Sequence, residues 1–96
     1  MDNNLIGPVD RDFPRIEKRI LTNHVYDRIK QLIDGRDLEP GERINKRTLA
    51  HKLGVSQTPV NEALSRLAGE GLVVQENRRG YFVRLPSASD LVELYA

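Results

Sequence analysis

The chain of 96 residues contains no cysteine and no tryptophan, and only 5% of its residues are aromatic. The lack of cysteine excludes disulfide bonds, thiolate metal sites and cysteine nucleophiles. Its only histidines are His24 and His51, so a zinc site would depend on carboxylates. No apolar run approaches the roughly 20 residues of a membrane span, and the first residues lack the pattern of a secretory signal. The sequence therefore predicts a soluble, cytoplasmic protein.

The net charge of +1 hides an uneven distribution of charged side chains. Residues 43–84 carry eight basic and three acidic side chains, a charge of +5, whereas residues 1–42 and 85–96 carry −2 each. A basic segment between mildly acidic flanks is typical of a surface that faces a polyanion such as nucleic acid. Charge alone favours the alternative, a solvated charged face.

The first helix is predicted to begin after Thr22 or Asn23, either of which can cap it, and Gly35 is the predicted left-handed C′ residue that follows its end. The apolar positions that recur with the helical period are Val25, Ile29, Leu32 and Ile33. Pro40 and Gly41 then predict a type II turn.

Two short helices follow in close succession. Asn45 is the predicted N-cap of the second helix, which ends at Gly54, and Ser56 is the predicted N-cap of the third. The apolar face of the third helix consists of Val60, Ala63, Leu64 and Leu67. Two helices joined by a short turn that contains glycine are typical of a helix-turn-helix.

Two runs of β-branched and aromatic residues, 72–76 and 81–85, surround a short loop that contains Gly80 and predict a β-hairpin. The predicted fold is therefore mainly α with a small β-hairpin: a winged helix-turn-helix with three helices plus a wing.

We expect this domain to occupy residues 18–86, after a flexible N-terminal arm over residues 1–17. Residues 87–96 begin a helix whose apolar side chains have no evident partner. This tail predicts the start of a second, truncated domain. A short C-terminal helix that packs on the domain is the alternative.

The polar side of the third helix carries uncharged side chains that can read base edges. Gln57, Asn61 and Ser65 are spaced i, i+4 and i+8 and form one stripe, with Thr58 beside it. Glutamine and asparagine each pair with adenine in the major groove, and recognition helices present their N-terminal residues to bases. A solvated helix face is the alternative, although lysine and glutamate would form a helix better there. The stripe therefore favours DNA reading.

Lysine and arginine side chains occupy two places from which they could contact a DNA backbone, the start of the second helix and the hairpin tip. Lys46 and Arg47 occupy the first turn of the second helix, where positive charge opposes the helix dipole and a phosphate would offset that cost. Arg78 and Arg79 at the hairpin tip suit a DNA backbone or a minor groove, and Gly80 allows close approach. The alternatives are chance and a solvated turn.

The sequence contains no motif for catalysis or nucleotide binding. It lacks a nucleophile with an adjacent base, a P-loop, a G-x-G-x-x-G run and an H-E-x-x-H motif. It therefore predicts a protein that is not an enzyme and that has no metal site and no cofactor in this part of the chain.

Residues 38–44 (LEPGERI) and 53–64 (LGVSQTPVNEAL) resemble the GntR family of bacterial transcription regulators. The resemblance extends through residues 67–73 (LAGEGLV) and 79–83 (RGYFV), and residues 88–95 look like the opening of the helical effector-binding domain of the FadR-like (FCD) branch. It implies a homodimer that binds a palindromic operator in double-stranded DNA, commonly as a repressor, and that is released by a small-molecule effector.

The family's DNA contacts carry over to Arg47, Ser56, Thr58 and Gly80. The sequence departs from the family at Gln57 and Asn61, where the family usually has arginine. Because arginine favours guanine and phosphate whereas glutamine and asparagine favour adenine, this departure means that the family's typical operator does not carry over, and we expect an operator richer in A·T at these positions. A winged helix used for protein–protein contact, without DNA binding, is the alternative from a different functional class.

Overall fold

The computed structural model describes residues 3–86, with side chains from residue 15 onward. Its elements in chain order are α1 (Asn3–Asp34), β1 (Arg43–Ile44), α2 (Lys46–Leu53), α3 (Gln57–Gly69), β2 (Val73–Glu76) and β3 (Gly80–Val83). The strands form one antiparallel sheet in the order β1-β3-β2. The predicted winged helix-turn-helix is therefore confirmed.

Helix α1 begins at Asn3, so the predicted start after Thr22 or Asn23 was wrong. Neither of these side chains caps a helix. The Thr22 hydroxyl donates to Glu62 Oε2 at 2.7 Å, and Asn23 Oδ1 accepts from Arg66 Nη1 at 3.0 Å. The two residues that are suited to capping instead connect α1 to α3, and the helix continues through them.

The end of α1 differs from the prediction in one detail. Gly35 follows the helix directly, but its N–H still donates to the Gln31 carbonyl at 2.9 Å, and the left-handed residue is Arg36 with φ 62°. The predicted type II turn is present downstream, because Gly41 has the positive φ, 82°, that this turn requires at its third position.

Helix α2 begins as its sequence predicts. Asn45 Oδ1 accepts a hydrogen bond from the Thr48 N–H at 3.0 Å, which satisfies one of the free donors at the helix start. Ile44 and Leu49, on either side of this cap, are both buried. Gly54 ends the helix with φ 69°, a conformation that glycine adopts without steric cost.

Helix α3 forms the centre of the core. Its buried residues are Pro59, Val60, Ala63, Leu64 and Leu67. All of these except Pro59 belong to one hydrophobic cluster with Val25, Tyr26 and Ile29 of α1. This packing fixes the rotation of α3 about its axis, so its opposite face is exposed to solvent.

Strand β1 was not predicted. Arg43 pairs with Phe82 and Ile44 with Tyr81 across an antiparallel register. Two residues are too few for an alternating pattern to be recognised in the sequence, and the strand exists only because β3 is there to pair with it. Its consequence is that the wing is attached to the chain directly before α2.

Replacing Asn45 by alanine should lower the free energy of unfolding by about 1 kcal/mol, because the Thr48 N–H loses its acceptor. For a domain of this size such a loss lowers the melting temperature by roughly 4–8 °C. Thermal unfolding measures it. The matched control is Ser56→Ala, since Ser56 occupies the N-cap of α3 without making a side-chain capping bond. Equal losses in the two variants would contradict this account.

The division of the chain into an arm, a domain and a tail stays a prediction. The tail, residues 87–96, lies outside the described residues.

Candidate nucleic-acid interface

The exposed side of α3 carries the predicted polar stripe. Gln57, Asn61 and Ser65 are all exposed, and so is Thr58 beside them. Their side chains make no hydrogen bond with any residue between 15 and 86. The amide and hydroxyl groups of the stripe therefore have their full capacity available for a partner.

A shallow groove runs between α2 and the first turn of α3. Arg47, Thr48 and His51 line it from α2, and Ser56 and Gln57 line it from α3. The exposed guanidinium of Arg47 thus lies on one side of the stripe. The structure brings these predicted site residues together, as the short connection between the two helices requires.

Lys46 lies farther along the stripe. It lines a second depression with Asn61, Glu62 and Ser65 of α3 and with Gln75 and Tyr81 of the wing. Its ammonium nitrogen is 5.9 Å from the centre of the Tyr81 ring, near the outer limit of a cation–π contact. Lys46 and Arg47 are adjacent in sequence and therefore place positive charge at two levels along the stripe, Arg47 beside Gln57 and Lys46 beside Asn61 and Ser65.

The wing tip presents the two predicted arginines in a defined turn. Arg78 has φ 59° and Gly80 has φ 98°. The Arg79 N–H donates to the Glu76 carbonyl at 3.1 Å, and Arg79 Nη1 lies 3.8 Å from Glu76 Oε2. The side chain of Arg79 is 78% exposed, so this ion pair contributes little and does not prevent Arg79 from binding an anion.

Arg43 is a residue that sequence reasoning missed. Its Nε donates to the Arg79 carbonyl at 3.0 Å, across 36 positions of sequence. The excess of positive charge over residues 43–84 includes Arg43, but only the pairing of β1 with β3 brings it to the wing tip.

The junction of α1 and α3 uses other charged residues of the basic segment. Glu62 and Arg66 have the i, i+4 spacing of a helical ion pair, but Arg66 Nε instead lies 3.9 Å from Glu70 Oε2. The Arg66 guanidinium carbon lies 4.1 Å from the centre of the Tyr26 ring. The Tyr26 hydroxyl donates to Glu70, and this hydrogen bond to a carboxylate raises the pKa of Tyr26. Arg66 and Glu70 therefore stabilise the helix packing.

Among the residues that the structure describes, no group of three or more histidine, aspartate or glutamate side chains could hold a metal ion. The helices searched over the same part of the chain include none that is long and apolar enough to cross a membrane.

Comparison with known proteins agrees with this geometry. Residues 21–83 match the family model described as bacterial regulatory proteins, gntR family. The chain is 37% identical over 70 residues to YdhC, an HTH-type transcriptional regulator of Bacillus subtilis, covering 73% of this chain and 31% of that protein. It is 48% identical over 56 residues to the Nta operon transcriptional regulator of Aminobacter aminovorans, covering 58% of this chain and 27% of that protein.

Solved structures give the same result. Escherichia coli McbR/YncC matches with a TM-score of 0.67 at 32% identity, over 77% of this chain and 35% of that one. A GntR-family regulator from Pseudomonas syringae pv. tomato matches with a TM-score of 0.64 at 27% identity, over 80% of this chain and 32% of that one.

The chain thus spans about a third of the length of the proteins it resembles. The matched family consists of transcription regulators and not of enzymes. This chain belongs to the GntR family of bacterial transcription regulators, of which it contains the winged-helix DNA-binding domain.

Proposed function

We propose that this chain binds double-stranded DNA sequence-specifically and is the reader domain of a metabolite-responsive repressor. The observation that carries the proposal is the uncharged stripe on α3, whose side chains make no hydrogen bond with a described residue and which has Arg47 beside its first residue and Lys46 farther along. Helix α3 enters the major groove, where Gln57 and Asn61 contact base edges. Thr58 and Ser65 contact bases or the adjacent backbone.

The residues around the stripe hold the DNA backbone. Arg47 and Lys46 bind phosphates beside the stripe, and the Ser56 hydroxyl, which makes no capping hydrogen bond, donates to a phosphate near the helix start. The wing tip, with Arg78, Arg79 and Gly80, follows the backbone into the neighbouring groove. Phosphate contacts fix register and orientation, whereas base contacts carry sequence information.

This chain spans about a third of the length of the related proteins, and we assign dimerisation and effector binding to the part that it does not include. We propose that the full protein is a cytoplasmic homodimer that binds a palindromic operator through two such domains. A small-molecule effector binds outside this domain and releases the DNA. Binding by the domain needs neither a metal nor a cofactor. A single domain binds DNA weakly, since it forfeits the gain from linking two half-sites.

Replacing Arg47 by glutamine should weaken binding to a fluorescent duplex about tenfold at low salt, because a charge-assisted hydrogen bond to phosphate is lost. Fluorescence anisotropy measures the affinity. The matched control is Lys52→Gln, which removes one positive charge from the last turn of the same helix. The proposal fails if both variants bind as the wild-type chain does.

A further inference from the structure

The wing holds three arginines around one shallow depression. Arg43, Arg78 and Arg79 line it together with Phe82. Of the carboxylates in the described part of the chain, Glu76 pairs with this cluster, through its contact with Arg79. Neither Arg43 nor Arg78 forms an ion pair with a described residue. The depression therefore has a net positive charge and favours an anion.

The Arg43 guanidinium is already held in place. Its Nε donates to the Arg79 carbonyl at 3.0 Å. A Cβ atom built on Gly80 would lie 3.8 Å from Arg43 Nε and 4.0 Å from its Nη2, so the guanidinium lies alongside the Gly80 backbone. This contact uses one of its five N–H groups, and the other four are on the terminal nitrogens.

We propose that Arg43 is a further DNA-contacting residue, which binds a backbone phosphate through its terminal nitrogens while its Nε holds the wing tip. A guanidinium fork matches two phosphate oxygens in its plane. Because the bond to Arg79 orders the guanidinium and the tip before DNA arrives, less ordering entropy is lost on binding. The inference rests on the proposed function, since the phosphate belongs to duplex DNA.

Fluorescence anisotropy with a mixed-sequence duplex, at several salt concentrations, tests the phosphate contact. Arg43→Gln should weaken binding about fivefold at low salt and independently of sequence. The slope of log affinity against log salt concentration should become less negative by about 0.9, which is the change expected for one lost phosphate contact. The matched control is Arg28→Gln, because Arg28 lies on α1 and, among the residues with described side chains, donates only to Gln31 of the same helix.

Arg43→Lys separates the phosphate contact of Arg43 from its hydrogen bond to the wing tip. Lysine retains the positive charge and most of the salt dependence, but it cannot reproduce the planar Nε–H bond to the Arg79 carbonyl. We therefore expect the amide NMR signals of Arg79 and Gly80 to move in this variant without DNA. In the wild-type chain, the side-chain Nε–H signal of Arg43 should shift on addition of duplex and that of Arg28 should not. This second measurement does not depend on the folding of any variant.

Equal affinity and salt dependence for Arg43→Gln and Arg28→Gln would overturn the inference while leaving the proposed function intact. An Arg43 Nε–H signal that does not respond to bound duplex would overturn it in the same way. A wild-type chain that binds no duplex at low salt would overturn both this inference and the proposed function.

Discussion

Selection from randomised duplexes should recover adenine opposite Gln57 and Asn61 in the wild-type chain, and guanine once both residues are arginine. Glutamine and asparagine pair with N6 and N7 of adenine, whereas arginine pairs with O6 and N7 of guanine. Each such pair is worth about 1–3 kcal/mol of discrimination. Sequencing of the selected pools measures the preference. The double variant should also bind with a steeper salt dependence, because it carries two more positive charges at the interface.

A charge added elsewhere provides the control for this experiment. Gln31→Arg adds one positive charge on α1, on an exposed side chain that does not line the grooves beside α3. It should leave the selected bases unchanged. If the wild-type chain and the double variant select the same bases, then Gln57 and Asn61 do not read sequence.

Replacing Leu64 by alanine should lower the free energy of unfolding by about 2–5 kcal/mol. Leu64 is completely buried in the hydrophobic cluster that α3 shares with α1 and the sheet, and its removal leaves a cavity that the surrounding residues cannot fully close. Because small domains are stable by only about 5–15 kcal/mol, this is a large share of the total. Urea unfolding measures the loss.

The same substitution at an exposed leucine separates cavity formation from a general effect of losing methyl groups. Leu85 is 65% exposed, so Leu85→Ala should change stability by less than about 0.5 kcal/mol. Comparable losses at the two positions would contradict the assignment of Leu64 to the core.

Local chemistry explains why much of the fold could be predicted. The cap at Asn45, the left-handed Gly54 and the turn at Gly41 depend on neighbours within a few residues, so they can be predicted from the sequence. The apolar spacing of α3 likewise identified its buried face, since helical periodicity is a property of one segment.

Tertiary partners explain what could not be predicted. Thr22 and Asn23 have the side chains of capping residues, but Glu62 and Arg66 of α3 are their partners in the fold. Strand β1 depends in the same way on a partner far along the chain. A local pattern cannot contain this information.

The candidate site likewise contains residues that local sequence could group and residues whose placement depends on tertiary contacts. Spacing along one helix was enough to group Gln57, Asn61 and Ser65. The placement of Arg47 beside Gln57 and of Lys46 beside Asn61 and Ser65 required the relative positions of several elements, and so did the contact of Arg43 with the wing tip.

The central claim is that α2, α3 and the wing tip form one DNA-binding surface. An amide NMR titration of the chain with a mixed-sequence duplex of about 20 base pairs, roughly two helical turns, tests it most directly when it is repeated at low and high salt. We expect shifts within residues 46–65 and 77–81, together with Arg43, that fade as salt is added. Absence of shifts at low salt, or shifts confined to residues 23–34 of α1, would contradict the claim and favour a winged helix that contacts protein.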